Sequence, residues 1–256
     1  MKNWEAVIFD WAGTTVDYGC FAPVQAFAGV FRHFGIEPTM DEVRAPMGML
    51  KRDHIRTMLE MPRIRKLWTE KYGAAPAEEN VEELYGLFEE KLMRILDQYA
   101  EIKPYVLETV EALRKRGMKI GSTTGYTDAM MAIVTAKAKE NGYAPDVWFS
   151  PNSVGDAGRP YPYMIFRNME ALGVHSVENV VKVGDTVSDI REGKNAGVFT
   201  VGVVEGSSEM GLTEEEYHAL SEEERAERSA AVREKFVKAG ADAVIQNMSE
   251  LLEILE

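Results

Sequence analysis

A chain of 256 residues with 45% hydrophobic and 28% charged residues has material for a substantial buried core, which excludes general disorder as its default state. Its formal net charge of -13 repels nucleic acid and anionic membranes, although a bound cation and a few basic groups can reverse the potential inside one cleft. Cys20 stands alone and cannot close an intrachain disulfide, the N-terminal MKNWEAVIFDW has too short an apolar run for a secretory signal, and no stretch is apolar enough to span a bilayer. The expectation is a soluble cytoplasmic protein.

The first predicted element is a buried strand, AVIFD at 6–10, running into Asp10-Trp11-Ala12-Gly13-Thr14-Thr15. A carboxylate at the end of a buried strand stands at the sheet edge, where it serves as nucleophile, metal ligand or turn former. From Phe21 to Glu101 the pattern turns wholly helical, through VQAFAGVFRHFG, DEVRAPMGMLKRDHIRTMLE, RIRKLWTEKYG and ENVEELYGLFEEKLMRILDQYA. This predicts an inserted helical cap domain at 21–101 and an α/β core domain at 1–20 and 102–256. Val24, Phe27, Val30 and Phe31 exceed the needs of one helix face, which suits either core packing or a dimer.

After Pro104 comes the helical ETVEALRKRG and then the strand KIGSTTG at 119–125, which delivers Thr124, Gly125 and Tyr126 to a turn where a hydroxyl and helix-start amides can hold a phosphoryl group. Gly158-Arg159-Pro160-Tyr161-Pro162 sets a guanidinium before a proline-opened helix. The strand VVKVGD at 180–185 ends in Asp185, with Asp189 four residues on, and hard oxygen ligands of this kind suit Mg²⁺. Two further strands are predicted, FTVGVV at 199–204 and AVIQN at 243–247, separated by a charged segment at 209–237 that reads as one or two solvated helices. The alternation predicts a doubly wound parallel sheet with its site at the carboxyl edge.

The ordered set of strand-end motifs resembles the haloacid dehalogenase superfamily of aspartate-nucleophile phosphohydrolases over nearly the whole chain. The resemblance implies Asp10 as nucleophile and magnesium ligand, the Ala12 carbonyl and Asp185 as further ligands, and Asp189 in support. It gives Thr124 the phosphoryl group and puts Arg159 in place of the usual basic residue.

Phosphatases of that superfamily carry a second aspartate where this chain has Ala12. An alkoxide leaving group needs a proton, and alanine has none to donate. The cap segment Met47-Gly48-Met49-Leu50-Lys51-Arg52-Asp53-His54 offers another route, because a lysine imine accepts electrons from a departing carbon. This segment and DWAGTTVDYGC resemble the phosphonoacetaldehyde hydrolase family. That resemblance implies a Schiff base on Lys51, with Met47, His54, Cys20, Tyr126 and Gly125 lining or supporting the site. It further implies one Mg²⁺ per subunit, a small phosphonate substrate, a place in 2-aminoethylphosphonate degradation and a homodimer through the cap. A phosphomonoesterase or sugar-phosphate mutase of the same superfamily, and a silent phospholigand-binding protein, are the alternatives.

Overall fold

The computed structural model describes residues 3–256, so the first two residues of the N-terminal stretch lie outside the described residues. Five strands, β1 (Ala6–Phe9), β2 (Lys119–Ser122), β3 (Val180–Gly184), β4 (Phe199–Val203) and β5 (Ala243–Ile245), form one parallel sheet in the order β2-β1-β3-β4-β5. Each of the five predicted strands is present, and each stops one to three residues before its predicted end. Those last residues are the ones that leave the sheet for the site.

The alternation of side chains decides which helices each strand meets. Val7 and Phe9 of β1 join one core cluster, whereas Ala6 and Ile8 join another on the opposite face with Ile165, Met169 and Leu172. Burial on both faces is why β1 reads as an unbroken apolar run. Its neighbours diverge from it to either side, with Phe9 level with Ser122 of β2 and with Val183 of β3. Such a switch in strand order opens a crevice beyond the strand ends, and Asp10, Thr123 and Asp185 all emerge there.

Between β1 and β2 the chain makes helices α1 (Phe21–His33), α2 (Met40–Arg44), α3 (Lys51–Glu60), α4 (Pro62–Tyr72) and α5 (Glu78–Met93), then a short 3₁₀ turn at Leu96–Tyr99. The single helix expected around DEVRAPMGMLKRDHIRTMLE is broken in the structure. Pro46 cannot continue the hydrogen-bond ladder, and Gly48 takes a φ of 83° that disfavours any side chain. A Cβ on Gly48 would lie 2.5 Å from Thr186 Oγ1 and 2.7 Å from Ser188 Cβ. The break therefore presses residues 45–50 onto the sheet-edge loop after β3 and starts α3 at Lys51.

Val24, Phe27, Val30 and Phe31 are buried within the helical segment. Phe27 stacks on Phe88 of α5 with ring centroids 4.2 Å apart and on His54 of α3 at 3.7 Å. The apolar surplus of α1 is thus packed against its own neighbours.

Helices α6 (Val106–Lys115), α7 (Asp128–Glu140), α8 (Tyr163–Leu172) and α9 (Val187–Ala196) alternate with the next strands. The charged segment forms α10 (Glu214–Ala219) and α11 (Glu222–Ala239), and a last helix, α12 (Leu251–Ile254), closes the chain. The segment is not solvated all round: Tyr217, Val232 and Phe236 pack with Ile190 and Val204 against the far end of the sheet. Among the described residues no helix is long and apolar enough to cross a membrane.

Phe27 links three helices, so Phe27→Ala should lower the unfolding free energy by about 3–5 kcal/mol, the usual cost of deleting a buried aromatic ring. Chemical denaturation followed by tryptophan fluorescence checks this, and a loss under 1 kcal/mol would contradict the packing described.

Candidate active site

Asp10 leaves β1 with its amide still bonded to Val183 O of β3 at 2.9 Å. The tight turn that follows holds it: Thr15 Oγ1 donates to the Asp10 carbonyl at 3.1 Å, and Thr14 Oγ1 donates to Asp185 Oδ1 at 3.0 Å. Gly13 is forced by both backbone and space, with a φ of 86° and room for no Cβ, which would meet Asp185 Oδ2 at 2.1 Å. Asp185 is held from its other side by the Ser208 amide at 2.7 Å. Asp189 sits in the first turn of α9, where it closes a capping box with Thr186 and where the helix end favours negative charge.

Asp10, Asp185 and Asp189 are all buried, and each offers an oxygen lying within 4.8 Å of the others. Burial raises the Asp185 carboxyl well above the ordinary carboxylate range, and the charges of Asp10 and Asp189 raise it further. Burial pushes Asp189 the same way, yet Arg159 and Lys182 outweigh it and hold that carboxyl low. The two move oppositely because Asp189 faces two cations directly. A hard cation among the three oxygens would relieve the crowding that Asp185 feels, so the donor set fits a metal. The Ala12 carbonyl accepts no hydrogen bond among the described residues and borders the same cavity, which leaves it available as a fourth oxygen.

Arg159 meets Asp10 Oδ1 at 2.5 Å, Asp189 Oδ1 at 3.1 Å and Glu192 Oε2 at 3.1 Å. Its neighbour Lys182 lies 3.0 Å from Asp189 Oδ1 and 3.2 Å from Glu192 Oε2. Sequence reasoning missed Lys182 and Glu192. The signal was present for Lys182, a lone charge inside the otherwise apolar strand run VVKVG, whereas Glu192 is unremarkable on a helix until its burial is known. Lys103 was missed as well. Its ammonium donates to the carbonyls of Gly13 and Glu205, and burial draws its pKa down to about 8.

All of the predicted site residues except His54 and Asp189 border one cavity of about 30 Å³. Its floor is Asp10, Asp185 and Arg159, and its opposite wall is Lys51, Met47 and Cys20. Thr124 stands at the side with its hydroxyl accepting from the Tyr126 amide at 3.0 Å, which frees the hydroxyl proton for another acceptor. Gly125 sits between the two walls, where a Cβ would make ordinary contacts, 3.7 Å from the Met49 carbonyl and 3.8 Å from Lys51 Nζ.

Lys51 Nζ lies 5.3 Å from the centroid of the Tyr126 ring and 6.0 Å from that of Phe27. Burial lowers its pKa, and Arg159 adds to this while Cys20, Asp10 and Asp185 oppose it. A free amine is therefore easier to reach than on an exposed lysine. Burial raises Cys20 and Tyr126 and keeps both protonated. His54 stacks behind Lys51 on Phe27, and its imidazole is held neutral, first by burial and then by Lys51.

A model of the haloacid dehalogenase-like hydrolase family matches residues 4–197. The chain belongs to the haloacid dehalogenase-like hydrolase family. It is 54% identical to the phosphonoacetaldehyde hydrolase of Lysinibacillus sphaericus (strain C3-41) over 247 residues, which are 96% of this chain and 92% of that one. It is 53% identical over 251 residues to the bifunctional phosphonoacetaldehyde hydrolase/aminoethylphosphonate transaminase of Clostridioides difficile (strain 630), a match that takes in 98% of this chain and 39% of that longer protein. The crystal structure of a phosphonoacetaldehyde hydrolase-like protein from Oleispira antarctica superposes with a TM-score of 0.96 at 40% identity, covering 99% of this chain and 91% of that chain. Haloacid dehalogenase-like hydrolases use a metal ion, and among the described residues the group of acidic side chains able to hold one is Asp10, Asp185 and Asp189.

Burying Lys51 has a cost with a definite sign. Below its ordinary value of 10.5 the unfolded chain takes up a proton that the folded chain resists, so this residue destabilises the fold increasingly as pH falls from there. Lys51→Met should thus abolish activity and raise the Tm at neutral pH, by roughly the 2–4 °C that 1 kcal/mol is worth in a chain of this size. A lowered Tm would show that the amine is held by favourable contacts.

Proposed function

We propose that this chain hydrolyses the carbon–phosphorus bond of phosphonoacetaldehyde, with water, to acetaldehyde and phosphate. One observation carries the reading: the buried Lys51 amine overhangs a cavity whose floor is Asp10, and the position where a phosphatase keeps its acid is Ala12. The names and identities of the relatives from Lysinibacillus and Clostridioides support it. The second activity in the name of the Clostridioides protein supports a place in aminoethylphosphonate breakdown, after a transamination that makes the aldehyde.

In this reading the Lys51 amine condenses with the aldehyde, releasing water and leaving a protonated imine one carbon from the phosphonate. The Asp10 carboxylate attacks phosphorus, and the electrons of the breaking bond flow into the imine to give an enamine. No acid at position 12 is required, because the leaving carbon is stabilised by those electrons' new location. Arg159 and Thr124 hold the phosphoryl oxygens while charge redistributes. The enamine takes a proton and is hydrolysed to acetaldehyde, freeing Lys51, and water cleaves the aspartyl phosphate. Mg²⁺, held by Asp10, Asp185 and the Ala12 carbonyl with Asp189 in support, would neutralise phosphoryl charge throughout. His54, being buried and neutral, would position Lys51, and Tyr126, Met47, Cys20 and Gly125 would shape the pocket around the aldehyde.

A cavity of about 30 Å³ holds water but no phosphonate, so the helices from Phe21 to Glu101 would act as a cap that lifts to admit substrate.

Acetaldehyde release from phosphonoacetaldehyde, with and without Mg²⁺, tests the reading on wild type, Lys51→Arg and Asp10→Asn. Arginine keeps the charge but forms no imine, so both variants should fall by at least about 10³-fold. Borohydride added with substrate should inactivate the wild type and label Lys51. Phosphate release from ordinary esters but not from phosphonoacetaldehyde would establish a phosphomonoesterase instead, and no turnover of any phosphorus compound would establish a binding protein.

A further inference from the structure

Beneath Asp10 lies a closed circuit of charge, two members of which, Lys182 and Glu192, have no part in the reaction above. Arg159, Asp189, Lys182 and Glu192 alternate in sign around it, with separations of 3.1, 3.0, 3.2 and 3.1 Å. Thr123 joins it, accepting from Arg159 Nη2 at 2.9 Å and Lys182 Nζ at 2.7 Å while donating to Glu192 Oε2 at 3.0 Å. Every member is buried. An unbalanced ion there would be strongly destabilising, whereas two cations against two anions leave the circuit neutral.

Neutrality has a consequence at the surface of the cavity. Arg159 also pairs with Asp10, so four carboxylates (Asp10, Asp185, Asp189 and Glu192) face two cations, and with all of them ionised the cluster carries two negative charges in excess, the charge that one divalent cation matches. The circuit also fixes the guanidinium. Glu192 takes Nε, which turns Nη2 toward both Asp189 and Asp10.

We propose that Lys182 and Glu192 are positioning residues, which aim Arg159 at Asp10 and set the net charge of the acidic cluster to that of one divalent ion. Neither touches substrate or metal. They act through Arg159 and Asp189, and the inference rests on the metal reading of the acidic trio given above.

Removing one charge at a time separates this role from plain scaffolding. Mn²⁺ binding to the whole chain, measured by electron paramagnetic resonance without substrate, should weaken about tenfold in Glu192→Gln, which leaves the circuit one charge too positive. It should tighten about tenfold in Lys182→Met, which leaves it one charge too negative. The double variant restores the balance and should bind Mn²⁺ within about twofold of wild type, because the two effects cancel. In all three, kcat should fall about 10–100-fold, because Arg159 loses its aim. Circular dichroism and melting curves report folding, and the double variant, with its buried ion pair replaced by uncharged groups, carries the test should a single variant not fold. Weaker Mn²⁺ binding in both single variants, or an unchanged kcat in the double variant, overturns the proposal alone. A wild-type chain that binds no Mn²⁺ overturns it together with the metal reading.

Discussion

Like charges brought together away from solvent repel strongly, and the crowding of Asp10, Asp185 and Asp189 at the carboxyl edge of β1 and β3 is the constraint to which most of this structure answers. Gly13 has no side chain because one would strike Asp185. Ser208 turns its amide to the same carboxylate, and Asp189 takes the first turn of α9, where backbone amides are unpaired. Arg159 and Lys182 supply positive charge from behind. What these devices leave over is a set of three buried carboxylates whose oxygens could hold a metal ion.

The opposite wall exploits the same burial with the opposite sign. Removal from water disfavours a charged carboxylate and a charged amine alike, but carboxylates have cations and amides to answer it, whereas Lys51 has aromatic rings and a neighbouring glycine. One enclosed volume thus works against charge on both sides, raising the Asp185 carboxyl on its floor and easing an amine toward neutrality on its wall. The two walls are mechanically joined, because Gly48 rests on Thr186 and Thr186 caps the helix that carries Asp189. The segment leading into α3 and Lys51 thus lies directly against the loop that follows β3.

Much of this was legible in the order of residues alone. Buried parallel strands must be β-branched runs, so β1 to β5 announce themselves, and the residue that ends each run is placed at the sheet edge by topology. That reasoning reaches Asp10, Thr124 and Asp185 directly, and the proline and glycine beside Arg159 mark a turn. It fails where periodicity is silent about neighbours. The apolar excess of α1 looked equally suited to a second copy of the chain, and only the positions of Phe88 and His54 show that it is spent internally. The helix before Lys51 looked continuous, and a proline with a glycine pressed on Thr186 divides it.

The local code by itself determined the strands, the helical insertion, the carboxylates at the strand ends and the absence of an acid at Ala12, since each depends on a residue and its near neighbours in the chain. Tertiary structure decided how charges are balanced and which lysine is desolvated. Arg159 meets Asp10 across 149 positions and Thr123 meets Glu192 across 69. Lys182 and Glu192 look like an ordinary strand lysine and an ordinary helix glutamate until both are enclosed. Asp10 itself shows the division: its place at the end of β1 is written in the run of apolar residues before it, but what surrounds it comes from β2, β3, α9 and the turn before α8, which only folding brings within reach.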